Sequence, residues 1–440
     1  MHDAVLTLSA LLAGRGHSLW LVGAAARARV LSGSPPAHAE LLTDASVEVA
    51  EQVRLTAQEV TGLTVRLASL GERDLGAWLR ARGVTLDAVA VKADDGAVID
   101  PFEGAADALK NTLRTIAPAA DAFREDPLLL LRVPRLIAET GALAASELRR
   151  FATRDSGNIL DTRARRAEWA AEFNALVLGK DVDRALQWLL ETRVLAFLMP
   201  EVAAMVGFDK TCAVHHKDIW EHTRLVTAKA APDLVVRWTA LCHDIGKVWT
   251  RSVNRTGKVH FFRHEEHGAF LFEGIAHRIG LDPALAARVS YVIENHSRVN
   301  LYRDDWSDSA VRRMMRDTSG HLADLVAFSK ADFTTKREAK IIELKRQVQD
   351  LEERLLRVAA EDARLPPLGK GIGEAIMARF GLPQSRAVGQ LKAQLEAAID
   401  AGLLPPRGDE AAYLDWLAEN AIIPSSPKGA KGAESVTPAP

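Results

Sequence analysis

The spacing of hydrophobic residues in the middle of the chain predicts an amphipathic helix. Its apolar side chains recur every three or four positions, at Leu234, Trp238, Leu241 and Ile245. Each residue turns a helix by about 100°, so His243 is rotated by roughly 200° from Leu241 and leaves the buried face. The pattern therefore predicts a helix that ends at His243 and Asp244, before Gly246.

The two ends of the chain show other patterns. Residues 19–23 predict a short buried strand that enters a turn of small residues, followed by a helix through Leu31. A strand-and-helix core is expected from Val22, Leu31, Leu41, Val89, Val91, Val98 and Ile99.

Residues 336–364 predict a long charged helix with a heptad-like apolar stripe, which ends at Pro366 and Pro367. Such a stripe packs more often on its own chain than in a dimer, and residues 424–440 have the composition of a disordered tail.

Composition narrows the class of protein. A chain of 440 residues, 48% hydrophobic and 26% charged, has material for two or three cores. A net charge of −2 excludes a globally basic nucleic-acid coat. Two cysteines cannot build a disulfide framework, which predicts a reducing compartment, the cytoplasm. The apolar stretch 6–13 is too short for a signal peptide or a membrane span, so no membrane partner is expected.

Imidazole and carboxylate side chains follow the predicted helices in an ordered series. The series comprises His222, His243, Asp244, His264, His296 and Asp332. Such nitrogen and oxygen donors bind divalent ions that activate water, and six of them suffice for two ions. Donors from separate helices converge in bundle cores. The alternative is that these histidines are ordinary surface or core residues that bind no metal. That alternative is favoured for any one histidine taken alone, but not for the ordered set. It is kept for His215, His216, His260, His267, His277 and His321, although His216 and His267 lie close enough in sequence for an outer contact.

The series resembles the HD superfamily of metal-dependent phosphohydrolases. The similar segments are 219–223, 241–247, 264–265, 294–296 and 330–332. The resemblance implies that His222, His243, Asp244 and Asp332 hold one ion and that Asp244 bridges to a second ion on His264 and His296. It also implies catalytic roles for Asp244 and for Lys247, the latter as a cation beside the phosphoryl oxygens. The metal stays open among manganese, nickel, cobalt, iron, zinc and magnesium.

The N-terminal third resembles the catalytic head of class II CCA-adding enzymes and bacterial poly(A) polymerases. The similar segments are 19–31, 85–88, 98–104 and 125–128, with Arg132 and Arg135. Ala24 replaces the second glycine of the family's turn. The other departures fall on its acidic and base-selecting positions, which here are Ala28, His38, Glu40, Gly83, Leu129, Pro134, Glu168 and Trp169. Nucleotidyl transfer needs carboxylates that hold magnesium, so we expect a degenerate head that adds no CTP or ATP to tRNA.

These patterns predict an α+β fold, with a small sheet-and-helix head followed by a mostly helical body that contains an all-α HD domain. The expected domains are the head at 1–120, a helical neck at 121–205, the HD domain at 206–335, a helical tail at 336–423 and disorder at 424–440. An arginine cluster in the neck is a candidate RNA contact, although a solvated helix face explains it about as well. Its members are Arg149, Arg150, Arg154, Arg163, Arg165 and Arg166.

The leading functional hypothesis is a metal-dependent phosphohydrolase that acts on a nucleotide, a cyclic phosphate or an RNA-end phosphate and carries an inactive head. One alternative is an active tRNA CCA-adding enzyme or RNA nucleotidyltransferase with unusual ligands. Another is a non-catalytic RNA-binding or regulatory protein whose metal is structural. The expected cofactor is one or two divalent metal ions. Expected partners are a nucleotide or phosphoester and possible tRNA or RNA 3′ ends, with the chain as a monomer or homodimer.

Overall fold

The structure is a computed structural model, and it describes residues 2–31, 40–61, 66–208, 218–318, 320–333, 338–363 and 367–420. The chain divides into two compact units, Met1–Glu353 and Arg354–Pro440. Among the described residues, no helix combines the length and the apolar character needed to cross a bilayer.

The first unit begins with a five-stranded sheet. Its strands are β1 (Leu19–Val22), β2 (Glu40–Thr43), β3 (Arg66–Ser69), β4 (Ala90–Lys92) and β5 (Val98–Ile99). The spatial order is β3-β2-β1-β4-β5, and β2 and β3 run parallel while the other neighbours are antiparallel. The helices around the sheet are α1 (His2–Ala13), α2 (Gly23–Val30), α3 (Val47–Thr61), α4 (Leu75–Arg80) and α5 (Gly104–Leu109).

Side chains that alternate along β1 and β2 separate two apolar layers. Leu41 packs with α1 and α3 on one face, and Leu42 packs with Trp20 and Trp78 on the other. The expected core is wrong at two positions, because Leu31 is 47% exposed and Val98 is 53% exposed. Val98 lies on the edge strand β5, and Leu31 lies one residue beyond α2, so neither is covered by a second layer.

The helical neck follows the head. Its helices are α6 (Ala119–Glu125), α7 (Leu129–Thr140), α8 (Ser146–Arg154), α9 (Arg166–Leu178), α10 (Val182–Glu191), α11 (Val194–Leu198) and α12 (Pro200–Ala203). Two short strands, β6 (Thr112–Leu113) and β7 (Leu143–Ala144), pair in parallel beside these helices. Residues 156–165 form a 3-10 segment that leads into α9.

The next part of the first unit carries the predicted metal ligands. Its helices are α13 (Ile219–Lys229), α14 (Leu234–Cys242), α15 (Lys247–Thr250), α16 (His264–Ile279), α17 (Pro283–Asn295), α18 (Asp308–Asp317) and α19 (Leu322–Ser329). A hairpin of β8 (Arg251–Val253) and β9 (Val259–Phe261) interrupts this otherwise helical segment, which was expected to be all α. The predicted helix end at His243 is confirmed, because α14 stops at Cys242.

The last described part of the chain is helical. Helix α20 (Glu338–Ala363) buries Val348, Leu351 and Val358 of the apolar stripe within this chain. The second unit adds α21 (Ile372–Phe380), α22 (Arg386–Asp400) and α23 (Glu410–Asn420), which close around Leu391 and Tyr413. The expected disorder at 424–440 falls outside the described residues. The α+β fold class, with its head and mostly helical body, is confirmed.

Candidate metal centre and head site

The structure brings all six predicted ligands together at the centre of the helical segment. They form two groups of three, each with its donor atoms within 4.8 Å of one another: His222, His243 and Asp332, and Asp244, His264 and His296. In the first group, the Nε2 atom of His222 lies 3.2 Å from Nε2 of His243 and 3.2 Å from Oδ1 of Asp332. His222 lies within α13 and His264 begins α16, whereas His243 and Asp244 follow α14, His296 follows α17 and Asp332 lies three residues after α19.

Asp244 faces both groups through different oxygen atoms. Its Oδ2 atom lies 3.3 Å from Nε2 of His243 and 3.6 Å from Nε2 of His222. Its Oδ1 atom lies 3.8 Å from Nε2 of His264. A carboxylate in this position can bridge two cations, one on each oxygen.

Backbone carbonyls orient three of the imidazole rings. The Nδ1 atom of His243 lies 3.0 Å from the carbonyl oxygen of Ala240, and the corresponding contact of His264 to Phe261 is also 3.0 Å. His296 makes the same contact to Ile293 at 2.7 Å. When such a ring is neutral, it donates from Nδ1 and presents an unprotonated Nε2 to the centre, which is the tautomer that a metal ion requires.

Burial and neighbouring charges shift the pKa values of these groups. Burial, together with the charge of the nearby His243, lowers the pKa of His296 to about 4. Burial also lowers the pKa of His264. Although burial favours the neutral carboxyl, His243 and Lys247 hold the pKa of Asp244 well below its usual range. The centre thus favours neutral His264 and His296 beside an ionised Asp244, a donor set that fits divalent cations.

Gly246 allows the ligands of α14 and α16 to approach each other. A Cβ atom at position 246 would lie 2.1 Å from the carbonyl oxygen of His264 and 2.7 Å from the amide nitrogen of Gly268. Both contacts are with backbone, which cannot move aside as a flexible side chain can. The glycine of the sequence motif therefore places His264 beside Asp244.

Lys247 lies beside the bridging carboxylate, with its Nζ atom 2.8 Å from Oδ1 of Asp244. Among the outer candidates, His267 contacts the rings of Trp249 and Phe270 at centroid distances of 6.2 and 6.3 Å. The other outer candidate, His216, falls outside the described residues.

In the head, Glu40 is the described residue at the position of the family's acidic pair. It begins β2 and lies opposite Val22, the last residue of β1. Gly23 follows with a φ of 57°, and a Cβ atom there would lie 2.9 Å from Oε2 of Glu40. Arg82 approaches the same oxygen to 3.5 Å. Glycine thus leaves room for the Glu40 carboxylate where β1 turns into α2.

The described residues of the head do not form a three-ligand metal cluster, since both such groups in the described parts of the chain lie in the helical segment. His38, the other member of the acidic pair, falls outside the described residues. Gly83 and Leu129, two further departures from the family, pack against each other. With a φ of 75°, Gly83 would place a Cβ atom 2.7 Å from Cδ2 of Leu129.

A buried ion-pair network joins the head to the neck, and sequence reasoning did not find it. Asp87, which is 1% exposed, pairs with Arg27 of α2 and Arg135 of α7. Both arginines also contact Glu139, at 2.6 and 3.0 Å, and Arg135 contacts Glu172 at 2.8 Å. The two arginines hold the pKa of Asp87 far below its usual range although burial favours the neutral form. Asp87 and Arg135 stand in segments that resemble the family, but nothing in the sequence pairs them.

A protein-family model matches part of this chain, and named proteins are similar to it. The HD-domain family matches residues 219–359, about a third of the chain. The A-adding tRNA nucleotidyltransferase of Deinococcus radiodurans is 28% identical over 377 residues, which cover 83% of this chain and 84% of that protein. The multifunctional CCA protein of Alkalilimnicola ehrlichii is 33% identical over 215 residues, 46% of this chain and 49% of that protein.

A solved structure shares the fold. The crystal structure of the Bacillus stearothermophilus CCA-adding enzyme in complex with CTP superposes with a TM-score of 0.53 at 18% identity, over 95% of this chain and 96% of that chain. At this identity the likeness shows the fold alone. The resemblance stated from the sequence is confirmed: the homologues are tRNA nucleotidyltransferases, and the chain contains an HD domain.

The leading functional hypothesis is wrong. The homologues carry the names of nucleotide-adding enzymes, which favours a nucleotidyltransferase over a phosphohydrolase with an inactive head. The hypothesis gave too much weight to substitutions such as Ala28 and Gly83. The similarity to the Deinococcus enzyme extends over most of both chains, far beyond the HD segment.

Proposed function

We propose that this homologue of the tRNA nucleotidyltransferases transfers nucleotides from nucleoside triphosphates to the 3′ end of tRNA. The observation that carries the proposal is the similarity to a named A-adding tRNA nucleotidyltransferase over 83% of the chain. The five-stranded head supports it, because its sheet leads into α2 beside Glu40, the acidic residue kept at the family's position.

In the proposed reaction, the 3′-hydroxyl oxygen of tRNA attacks the α-phosphorus of the triphosphate. The new oxygen–phosphorus bond forms as the bond to pyrophosphate breaks, and the hydroxyl proton passes to Glu40. Glu40 is suited to this role because its side chain is 40% exposed and therefore accessible to a substrate. Arg82, 3.5 Å from Glu40, supplies positive charge next to the phosphates.

Replacement of Glu40 tests the proposal. The wild-type protein and the Glu40→Gln variant would be given labelled ATP or CTP with tRNA transcripts that lack one, two or three 3′ nucleotides. Loss of a general base typically costs about 10²–10⁴-fold in rate, so incorporation should fall by at least about 100-fold. Glu266→Gln is the matched control, because Glu266 pairs with Arg263 on the surface of α16. Equal incorporation by the two variants would contradict the role of Glu40.

We also propose that the HD segment binds two divalent ions. His222, His243 and Asp332 would hold one ion, His264 and His296 the other, and Asp244 would bridge them. This assignment is supported by the orientation of Asp244, whose Oδ2 atom faces His243 and whose Oδ1 atom faces His264. A bound ion would neutralise the negative charge of Asp244 and Asp332. Lys247, which contacts Asp244 in the same centre, is the proposed cation beside an incoming anion.

Elemental analysis tests the two-ion assignment. The loaded wild-type protein should contain about two ions per chain, and His296→Ala should move the ratio towards one. His321→Ala is the matched control, because His321 lies at the start of α19 outside both groups. A ratio of one or below in the fully loaded wild-type protein would contradict a two-ion centre. The proposed boundaries near residues 120, 205 and 335 await a test by limited proteolysis.

A further inference from the structure

A cavity between the neck and the HD segment is lined by cations and aromatic rings. Its volume is about 690 Å³, within the range of roughly 300–1,000 Å³ that is usual for small-molecule sites. The lining consists of Leu160, Arg163, Ala164, Arg166, Trp169, Phe197, Gly274, His277 and Arg278. None of these described lining residues is acidic.

Two of the lining arginines have no carboxylate partner among the described residues. Arg163 and Arg166 are both exposed, and Arg166 donates a hydrogen bond to the carbonyl oxygen of His277 at 3.3 Å. By contrast, Arg278 is held by Glu201 at 2.7 and 2.9 Å. The cavity therefore contains positive charge that the surrounding protein does not neutralise.

The other members of the arginine cluster are already engaged. Arg149 pairs with Glu191 at 2.8 Å, Arg154 pairs with Asp155 at 2.6 Å, and Arg165 pairs with Glu168 at 2.6 Å. Arg150 lies over the ring of Phe151 at 4.5 Å. Of the six arginines in the cluster, Arg163 and Arg166 are therefore the two that line this cavity.

The backbone adds to the positive character of the same wall. Arg166 is the first residue of α9, a helix of 13 residues, and no side-chain hydrogen bond caps its N-terminus. The helix dipole favours an anion at such a position. The acidic residue of the first turn, Glu168, is paired with Arg165 and does not line the cavity.

Aromatic residues form the apolar part of the lining. Trp169 is 1% exposed and fixed by a 2.8 Å hydrogen bond from its Nε1 atom to Thr162. Phe197 is 38% exposed, which leaves part of its ring available at the cavity. Aromatic faces next to arginines are the surroundings in which proteins stack nucleobases and bind their phosphates.

We propose that this cavity binds a nucleoside phosphate, with the phosphate at Arg163, Arg166 and the start of α9 and the base against Phe197. The ligand is either a free nucleotide or one nucleotide of a bound tRNA, because both present the same chemistry. The site is separate from Glu40, so the proposal does not depend on nucleotide transfer by the head.

Photocrosslinking with the site located by mass spectrometry tests the proposal. The full-length protein would be labelled in one arm with 8-azido-AMP and in the other with tRNA containing 4-thiouridine. We expect label in residues 160–169, 197 or 274–278 in at least one arm. AMP should compete with the first probe, whereas adenosine, which lacks the phosphate, should not.

Two variants distinguish the contribution of the Arg166 charge from that of the open space in the cavity. Arg166→Ala should weaken labelling about ten-fold, the loss expected for one charge-assisted hydrogen bond. Gly274→Leu should block the cavity without changing its charge, because Gly274 lines the cavity and a Cβ atom there would meet no heavy atom within 4 Å. Position 274 lies inside α16, where leucine favours the helix more than glycine does, so this variant should stay folded.

Arg150→Ala is the matched control, since Arg150 belongs to the same arginine cluster but lies outside the cavity. Labelling by 8-azido-AMP alone would identify a free nucleotide, and labelling by tRNA alone would identify a tRNA contact. Label that is absent from these segments in both arms would overturn the proposal. So would label that persists unchanged in both Arg166→Ala and Gly274→Leu.

Discussion

The buried carboxylate of Asp87 makes a quantitative prediction about the contact between head and neck. In Asp87→Asn, Arg27 and Arg135 lose a charged partner at a position where all three side chains are at most 9% exposed. Breaking a buried pair from one side costs about 3–5 kcal/mol. Both arginines keep Glu139, and Arg135 keeps Glu172, so the lower end of about 3 kcal/mol is expected.

Urea unfolding followed by tryptophan fluorescence measures this loss. Asp94→Asn is the matched control, because Asp94 forms an exposed pair with Lys92 at 3.0 Å and its replacement should leave the unfolding midpoint unchanged. If Asp87→Asn unfolded at the wild-type urea concentration with the wild-type slope, the network would not hold the head to the neck.

The pH dependence provides a second check on Asp87. The pKa of Asp87 is held far below its unfolded value of about 4, so the unfolded chain binds a proton that the folded chain does not. The stabilisation is therefore fully present above about pH 4 and is lost as the pH falls below it. The free energy of unfolding should decline less steeply below pH 4 in Asp87→Asn than in the wild-type protein. Identical slopes would contradict an ionised Asp87 in the folded state.

Two glycines give further predictions. Gly83→Asp should destabilise the head by about 1–3 kcal/mol in urea unfolding, because its side chain meets Leu129. In the double variant Gly83→Asp with Leu129→Ala, the loss in free energy of unfolding should be at least about 0.5 kcal/mol smaller than the sum of the losses in the two single variants. Strictly additive losses would refute the contact. Gly246→Ala should cost about 3 kcal/mol and lower the bound metal towards one ion, since it displaces His264. Unchanged metal content in this variant would contradict that role of Gly246.

The sequence predicted the positions of the metal-ligand candidates because local spacing determines them. The apolar repeat of α14 places His243 at its end, and the same reasoning applies to His296 after α17. The exposure of Val98 could not be predicted, because it depends on β5 being the edge of the sheet, which is a property of strand order.

Contacts between residues that lie far apart in the sequence could not be predicted either. Gly83 and Leu129 looked like two independent losses from a catalytic pattern, yet they pack against each other across 46 positions. Arg163 and Arg166 could not be separated from Arg149, Arg154 and Arg165 until the carboxylate partners of those three were known. Function was misjudged for a related reason: single substitutions in the head outweighed the similarity of the whole chain.

Elongation of tRNA by the wild-type protein tests the central claim most directly. A tRNA transcript without its terminal nucleotides would be incubated with the protein, ATP and CTP and resolved at single-nucleotide length. The proposed function predicts a product at least one nucleotide longer, with the added residue at the 3′ end. Transcripts that lack one, two or three 3′ nucleotides and all keep their original length with magnesium and with manganese would contradict it, provided that the Deinococcus A-adding enzyme extends the transcript that lacks one.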